Sequence, residues 1–199
     1  PAAVDADGNL YSTVRAGSQV WMAENLRTTK YRNGTSIPMV SDADEWKSLT
    51  TRAYCWYNND EATNKATYGA LYNWYAVSTG NLCPAGWHVP TDAEWTALTL
   101  YAGDQPLAGG KLKESGNLHW ESPNTGATNI TGFTALPGGM IDAAGGFGSY
   151  YGGMGTVGLW WSSEPPSDYT YPTIILYSDT GAFSFSEFLK NTPQTQIKG

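Results

Sequence analysis

The most constraining feature of the sequence is the loss of helical periodicity after Gly103. Glycine and proline recur through the rest of the chain, as in Gly109-Gly110, Pro137-Gly138-Gly139 and the stretch 145–155. Both residue types interrupt helices and mark turns. The second half is therefore predicted to contain short strands joined by long loops, and the candidate strands are 132–136, 159–163, 173–178 and 182–188.

The helical signals lie in the first half of the chain. Four large side chains recur with the 3.6-residue period of a helix and predict one over 66–78, ended by Gly80. These residues are Tyr68, Leu71, Tyr72 and Tyr75. A shorter helix of one or two turns is predicted at 44–49.

A second long helix is predicted over 91–102. Thr91 and Glu94 form the T-x-x-E pattern of a capping box, in which each side chain accepts a hydrogen bond from the backbone of the other. Trp95 follows on the apolar face, so it is expected to anchor the helix to the core. The tryptophans predicted to be buried are Trp21, Trp74, Trp87 and Trp95.

The N-terminal segment has the pattern of antiparallel strands. Asp7-Gly8 is a turn dipeptide, and the stretch 10–14 that follows is rich in strand-forming residues. Gly17-Ser18 separates it from a second short strand at 19–22. Together with the helices and the looped second half, this pattern predicts an α+β fold in a single domain over 1–199, without a linker or an internal repeat.

The composition excludes several classes of protein. Charged residues make up 15% of the chain and aromatic residues 14%, which is the opposite of the balance that gives disorder. The net charge is −7 and Lys and Arg do not cluster, so no nucleic-acid partner is expected. No apolar run approaches the roughly 20 residues of a membrane helix, so direct membrane insertion is not expected either.

Few residues fit the patterns of catalytic or metal chemistry. The chain has no G-x-S-x-G motif, and its glycine-rich stretch lacks the ending of a phosphate loop. The segment 5–9 lacks the spacing of a calcium loop and is predicted to be a turn. His88 is interpreted as a structural residue, and Cys55 and Cys83 either form a disulfide or remain buried thiols. No catalytic residue and no cofactor are therefore assigned.

Aromatic side chains are concentrated near the C-terminus. A strand directs only every second side chain into one core, so some of these rings are expected to face solvent. Rigid rings flanked by Ser and Thr suit a contact surface, although each ring could instead belong to the core. The predicted ligand contacts, most of them within 167–188, are Trp161, Tyr169, Tyr171, Tyr177, Phe183 and Phe185.

Five motifs follow one another along the chain and together cover nearly all of it. They are Asp7-Gly8-Asn9-Leu10-Tyr11, Trp21-Met22-Ala23-Glu24-Asn25-Leu26-Arg27, Tyr68-Gly69-Ala70-Leu71-Tyr72-Asn73-Trp74, Cys83-Pro84-Ala85-Gly86-Trp87-His88-Val89-Pro90-Thr91-Asp92-Ala93-Glu94-Trp95 and Trp160-Trp161-Ser162-Ser163. The fourth is highly specific. In this order the motifs closely resemble the Fibrobacter succinogenes major paralogous domain family.

The resemblance implies a fold and a location. The family looks like a branch of the C-type-lectin-like fold, related to the formylglycine-generating enzymes through the P-T-x-x-E-W helix start. Its members are common in secreted and surface lipoproteins of Bacteroidetes-type bacteria, which implies an extracellular or cell-surface location. Some members resemble targets of diversity-generating retroelements, in which a C-terminal segment is varied to change what a pilus tip or adhesin binds.

The C-terminus departs from the family pattern. Members usually close with a G-[FY]-S-V-R-C strand, and this chain stops at Gly199, where that strand would begin. We therefore expect the domain either to be cut there or to have a divergent final strand. The resemblance also implies that Cys83 normally pairs with the cysteine of that strand.

The leading functional hypothesis is a non-catalytic, adhesin-type module that binds a glycan or a protein. The alternatives are a structural pilus or envelope subunit and an enzyme of the formylglycine-generating type. The enzyme is disfavoured because its chemistry needs a thiol pair in the C-terminal half, and both cysteines precede residue 84. Domains with the implied fold often hold calcium, but no set of calcium ligands can be recognised in the sequence.

Overall fold

The computed structural model of the protein describes residues 3–103, 106–142, 145–148, 152–164, 170–189 and 197–198. Short strands and short helices alternate along the chain, and a 3-10 helix lies at Tyr57–Asn59. In chain order the elements are β1 (Ala3–Val4), β2 (Leu10–Tyr11), β3 (Thr13–Ala16), β4 (Gln19–Met22), α1 (Ala43–Ser48), β5 (Tyr54–Cys55), α2 (Glu61–Tyr68), β6 (Leu71–Tyr72), α3 (Trp74–Val77), α4 (Asp92–Ala102), α5 (Ala108–Leu112), β7 (Val157–Trp161), β8 (Thr170–Tyr177) and β9 (Ser184–Leu189).

The strands form small antiparallel sheets. The largest has the order β7-β8-β9, and its register pairs Leu159 with Ile175 and Ile174 with Phe185. The hairpin-like pairs β1-β2, β3-β4 and β5-β6 make up the other sheets of the described residues. The chain is thus mixed α and β with antiparallel pairing, as the sequence predicts. No helix within the described residues has both the length and the apolar composition to cross a membrane.

The N-terminal turn and hairpin are confirmed. Asp5 Oδ1 accepts hydrogen bonds from the backbone N–H groups of Asp7 and Asn9, both at 2.9 Å. Its second carboxylate oxygen accepts the Tyr11 hydroxyl at 2.5 Å. These bonds fix an Asx-type turn at 5–9, as the sequence predicts. The single strand predicted over 10–14 is wrong, because Leu10–Tyr11 pair with β1 as β2 whereas Thr13–Ala16 pair with β4 as β3 across the turn at Gly17.

The predicted helix over 66–78 is wrong. Helix α2 ends at Tyr68 because Gly69 adopts φ +74°, and a Cβ there would lie 2.6 Å from the main-chain oxygen of Leu26. The next residues pair with β5 as the strand β6, and Asn73 then caps the separate short helix α3. The helical spacing of the large residues is fortuitous, since sheet pairing and a required glycine override it.

The predicted helix over 91–102 is confirmed as α4. The Thr91 hydroxyl accepts a hydrogen bond from the Glu94 backbone N–H at 3.2 Å, and the Glu94 carboxylate accepts the Thr91 N–H at 2.8 Å. This is the reciprocal capping box expected from the sequence. Trp95 is fully buried and lies 4.9 Å from Trp21, measured between ring centroids. The shorter helix predicted at 44–49 is confirmed as α1.

Three of the four strands predicted in the second half are confirmed as β7, β8 and β9, with small shifts in their bounds. The strand predicted at 132–136 is wrong. Gly132 and Thr134 have φ values of +70° and +54°, which no regular strand contains, and the Asn129 amide holds this turn by bonding the Thr134 hydroxyl. The segment is limited to one bridge, between Ala135 and Lys113.

Helix α5 was not predicted because it contains two glycines. A Cβ on Gly109 would lie 2.2 Å from the main-chain oxygen of Ala182, and one on Gly110 would lie 2.4 Å from that of Gly126. The helix therefore packs directly against backbone, where only glycine fits. Tertiary packing overrides the low helix propensity of the segment.

Aromatic clusters fill the core. Trp21, Trp74 and Trp95 are buried as predicted, whereas Trp87 is only half-buried. Successive residues of β7 enter different clusters, because Trp160 packs with Phe133 and Trp95 while Trp161 packs with Trp74. The strand β7 therefore joins the two largest groups of buried side chains.

The indole N–H groups of buried tryptophans connect distant parts of the chain. Trp160 Nε1 donates to Asn25 Oδ1 at 3.0 Å, and Trp161 Nε1 donates to the main-chain oxygen of Tyr72 at 2.8 Å. Other indole donors bond main-chain oxygens, from Trp46 to Val40, from Trp95 to Trp161 and from Trp120 to Ala135. Each of these indoles thus contributes apolar volume and also bonds an acceptor in another element or loop.

Two lysine side chains are also buried, and each donates hydrogen bonds to main-chain oxygens. Lys113 Nζ donates to the main-chain oxygens of Tyr177 and Thr180, both at 2.9 Å, and faces the Trp120 ring. Burial lowers the pKa of Lys113 to about 8, although the nearby Asp179 carboxylate partly opposes this shift.

The second buried lysine lies near the end of the chain. Lys198 Nζ donates to the main-chain oxygens of Ala23 at 2.8 Å, Thr134 at 3.1 Å and Phe133. Burial holds its pKa well below the ordinary value. The Leu26 N–H also donates to the main-chain oxygen of residue 197 at 2.8 Å. The last described residues therefore lie in the core beside the N-terminal segment.

Truncation of Trp95 tests the role of the aromatic core. We expect Trp95→Ala to lower the free energy of unfolding by about 3–5 kcal/mol, because the site is fully buried among other rings. Leu100→Ala is the control on the same helix, since Leu100 is 65% exposed and its loss should cost less than about 0.5 kcal/mol. Denaturant unfolding measures both. Equal costs would contradict the assignment.

Replacement of Lys113 by methionine tests the buried ammonium. The folded-state pKa of Lys113 lies below its unfolded value of about 10.4, so the unfolded state binds more protons between these values. The stability of the parent relative to Lys113→Met should therefore rise as the pH increases from about 8 to 10. Lys47→Met, at an exposed position, should show no such rise. A difference that stays constant or falls over this range would contradict the burial argument.

Candidate functional site

The predicted ligand contacts near the C-terminus occupy different environments. Trp161 and Phe183 belong to the core, with their side chains buried. Tyr177 is partly buried and packs against a cluster of residues around Met140. Phe185 is 48% exposed on β9, with its ring edge against Phe183. Among the predicted contacts whose side chains are described, Phe185 is therefore the one that presents a large surface to solvent.

Two of the tyrosines predicted as ligand contacts, Tyr169 and Tyr171, have side chains that lie outside the described part of the structure. Tyr169 lies outside the described residues. The backbone of Tyr171 belongs to β8 and pairs with Phe188 of β9, but the side chains of both residues lie outside the described part. The assignment of these tyrosines as ligand contacts stays a prediction.

A cleft of about 530 Å³ lies between the hairpin β3-β4 and the start of α4. This volume falls in the range of roughly 300–1,000 Å³ that is typical of small-molecule sites. We call it the Trp87 cleft, and its lining includes Gln19, Val20, Trp21, Trp87, His88 and Glu94. Apolar rings and a few polar side chains converge there, which is the usual make-up of a ligand pocket.

The chain shapes the cleft through a turn and a helix start. The Trp87 N–H donates to the main-chain oxygen of Pro84 at 3.0 Å, and Gly86 supplies the positive φ of +82° that the turn needs. Pro90 ends the segment and accepts the Ser163 N–H at 2.8 Å, which ties it to the end of β7. Trp87 and His88 are thus held on a short, fixed loop.

The polar side of the cleft is a hydrogen-bonded pair. His88 Nε2 lies 2.9 and 3.0 Å from the Glu94 carboxylate oxygens, and 64% of the His88 side chain is exposed. Gln19 joins the opposite wall to α4, since its Nε2 donates to the Glu94 main-chain oxygen at 3.1 Å while its Oε1 accepts the Trp21 indole. Both walls are therefore fixed in position by side-chain hydrogen bonds.

The environment of Glu94 favours its charged form. Burial alone would raise the pKa of its carboxyl, but the Thr91 N–H, His88 and the Thr91 hydroxyl together lower it below the ordinary value. A carboxylate is therefore present at the mouth of the cleft at neutral pH. Carboxylates and imidazoles together can accept and donate hydrogen bonds to a polyhydroxylated ligand.

Both cysteines are free and buried, so of the two alternatives for Cys55 and Cys83 the structure has the buried thiols and not the disulfide. Burial raises the pKa of the Cys83 thiol to about 12, partly opposed by the charge of Arg32, and raises that of Cys55 still further. A thiol acts as a nucleophile in its thiolate form, which these surroundings disfavour. Within the described residues, no group of three or more His, Cys, Asp or Glu side chains could hold a metal ion.

The Trp87 cleft was missed in the sequence because its residues fit a structural interpretation. Trp87 was assigned to the core and His88 to a structural hydrogen bond, and that bond exists. Their position in a proline- and glycine-containing turn directly before a capped helix could have indicated that they lie at the surface, since such turns are usually exposed. Gln19 and Glu94 are 75 residues apart, so only the fold reveals that they meet.

Comparison with known families gave one match. The model of the Fibrobacter succinogenes major domain matches residues 14–191, which is most of the chain. Comparisons with curated proteins and with solved structures gave no match.

Substitution of Glu94 tests the link between the cleft and the fold. We expect Glu94→Gln to cost about 1 kcal/mol at pH 7, because a neutral amide bonds the Thr91 N–H and His88 more weakly than the carboxylate does. Since the folded-state pKa of Glu94 is lowered, its stabilisation is present above about pH 4.3 and lost as the pH falls through the folded pKa. The difference in stability between the variant and the parent should therefore shrink as the pH falls below about 4.3.

The control for this substitution is Glu61→Gln, which lies in the first turn of α2 and pairs with Lys65 at the surface. Unfolding curves at several pH values measure both variants. If Glu94→Gln costs no more than Glu61→Gln at pH 7, or if its cost is no smaller at pH 3 than at pH 7, the Glu94 carboxylate does not stabilise α4.

Proposed function

Because the chain belongs to the Fibrobacter succinogenes major domain family, we propose that it is a non-catalytic, adhesin-type binding module with a C-type-lectin-like fold, displayed at a bacterial cell surface. Its ligand is a glycan that binds in the Trp87 cleft. The small antiparallel sheets, few helices and long loops are compatible with that fold. The proposal needs neither a cofactor nor a bound calcium ion.

The observation that carries this proposal is the make-up of the cleft. A half-buried indole, Trp87, lies beside an exposed imidazole and a carboxylate in a space large enough for one or two sugar rings. Sugar rings present an apolar C–H face, which packs on an aromatic ring, and a rim of hydroxyls, which bond polar side chains. Because the cleft is held by its own hydrogen bonds, little ordering is needed when a ligand binds.

The buried thiols support a binding role over the formylglycine-generating type of chemistry. Neither Cys55 nor Cys83 is exposed, and the pKa of each is raised by burial. A reactive thiol would need the opposite environment, with solvent access and a lowered pKa.

A protein ligand is the second candidate, and the exposed Phe185 favours it. Large aromatic side chains dominate the energy of many protein interfaces. Phe185 lies on β9, within the C-terminal segment that the sequence resemblance links to variable binding surfaces. This surface and the Trp87 cleft involve different elements, so substitutions can separate them.

A glycan and protein-ligand screen of the intact chain, followed by titration of the best ligand, tests the proposal. We expect Trp87→Ala to weaken glycan binding about thirtyfold or more and His88→Ala to weaken it about three- to tenfold, since the ring and the imidazole contact the ligand. Phe185→Ala should leave glycan affinity unchanged. The unfolding midpoint is measured for each variant to separate binding from folding.

Leu118→Ala is the control, because Leu118 is exposed and lies outside the cleft. If Phe185→Ala weakens binding while Trp87→Ala and His88→Ala do not, the ligand surface lies on β9 and the cleft is not the site. If no glycan binds the parent chain in the screen, the glycan proposal is wrong.

A further inference from the structure

A second depression, of about 660 Å³, lies beside the turn that contains Tyr31. We call it the Tyr31 depression, and its lining includes Tyr31, Thr35, Ser36, Thr51, Arg52 and Tyr75. It has no residue in common with the Trp87 cleft. Its described lining consists of hydroxyl-bearing side chains, a proline and one arginine, with no carboxylate among them.

The Tyr31 hydroxyl is a buried polar group without a partner. Tyr31 is 3% exposed, and its Oη makes no hydrogen bond with any described residue. The surrounding backbone is well satisfied, since the Tyr31 N–H donates to the main-chain oxygen of Thr35 at 2.9 Å. An orphaned buried hydroxyl disfavours the free protein, and a ligand that bonds it would remove that penalty.

The charge in the depression is also uncompensated. Arg52 is exposed, forms no ion pair with any described residue, and lies over the Tyr31 ring at 5.8 Å from its centroid. An unpaired guanidinium is notable in a chain with a net charge of −7. Its planar fork of donors matches a carboxylate and can bond both oxygens.

The rest of the depression suits a polyhydroxylated ligand. The hydroxyls of Thr35, Ser36 and Thr51 make no hydrogen bond with any described residue, so they are free to bond a ligand. Tyr75 is half-buried and offers part of its ring as an apolar surface. Hydroxyl groups that both donate and accept, placed beside an aromatic ring, fit the hydroxyl rim and the C–H face of a sugar.

We propose that the Tyr31 depression is a binding site for a sugar that carries a carboxylate. The Arg52 side chain turns from the Tyr31 ring to bond the carboxylate, and this movement uncovers the Tyr31 hydroxyl so that it donates to a ligand oxygen. The threonine and serine hydroxyls bond the ring substituents. This site is independent of the Trp87 cleft, so the chain binds two glycan units of different charge. Two sites on one chain strengthen attachment to a polysaccharide that presents both units.

The test is calorimetric titration of the intact chain with oligogalacturonate, with neutral oligogalactose of the same length, and with acetate. Oligogalacturonate should bind at least about tenfold more tightly than either of the others, since it alone offers both the carboxylate and the hydroxyl rim. Equal binding of acetate would show that the site takes any carboxylate and would overturn the sugar assignment. Equal binding of the neutral oligomer would overturn the role of Arg52.

Two variants address the residues. Tyr31→Phe should weaken oligogalacturonate binding about three- to tenfold while leaving the unfolding midpoint of the free protein unchanged or higher, because the hydroxyl it removes has no partner. Arg52→Gln should abolish the preference for oligogalacturonate over the neutral oligomer. The matched control is Arg15→Gln, at an exposed arginine of β3, which should leave binding unchanged.

The proposal is overturned by any of three results. The first is a lowered unfolding midpoint of Tyr31→Phe, which would show that the hydroxyl is already bonded in the free protein. The second is oligogalacturonate affinity that neither Tyr31→Phe nor Arg52→Gln changes. The third is the absence of oligogalacturonate binding to the parent chain. Trp87→Ala should not affect this titration, so a failure here is distinct from a failure of the Trp87 cleft.

Discussion

In a chain whose largest described sheet has three strands, most main-chain polar groups lie in loops and must find partners outside a β-ladder. Buried indole N–H groups supply some of these partners, and two other indole bonds join elements that are far apart in sequence. Trp161, for example, donates to Tyr72, and Trp160 reaches Asn25, 135 residues away. Because a lost bond of this kind leaves a buried acceptor unsatisfied, the relative positions of the joined segments depend on the tryptophans.

The same rings position the candidate site. Trp21 of β4 packs on Trp95 of α4, which places the hairpin beside the helix start. The Trp87 cleft forms where these two elements meet, and Gln19 of β4 donates to the main-chain oxygen of Glu94 in α4. The capping box that begins α4 therefore also fixes the Glu94 carboxylate in the cleft, so Glu94 serves both the fold and the site. A rigid site of this kind loses little entropy on binding.

Local signals predicted the parts of the fold that local chemistry determines. The capping box at Thr91, the hairpin turn at Gly17 and the strands around Trp160 could all be recognised from residues close in sequence. The helix predicted over 66–78 failed because Gly69 packs against the backbone of Leu26, a contact that spacing alone does not reveal. Helix α5 was missed for the same reason, since its glycines fit against distant backbone.

The candidate site could be predicted only in part. Phe185 is exposed, in agreement with its predicted place on a surface, but the side chains of Trp161 and Phe183 are buried in the core. Period-two alternation predicts that half of such rings face outward without saying which half, because the answer depends on what covers each face. Trp87 is the opposite case, because it was predicted to be buried and is half-exposed in the structure.

The most direct test of this account is a ¹⁵N–¹H correlation spectrum of the nine indole groups, recorded during hydrogen exchange and then during titration with the glycan identified in the screen. The account predicts slow exchange and unchanged shifts for Trp120, Trp160 and Trp161, whose indoles are bonded and buried, and fast exchange with a ligand-dependent shift for Trp87. Rapid exchange at the bonded indoles would contradict the proposed role of tryptophan in the fold. A Trp87 signal that is unaffected by a saturating ligand would contradict the cleft as the binding site.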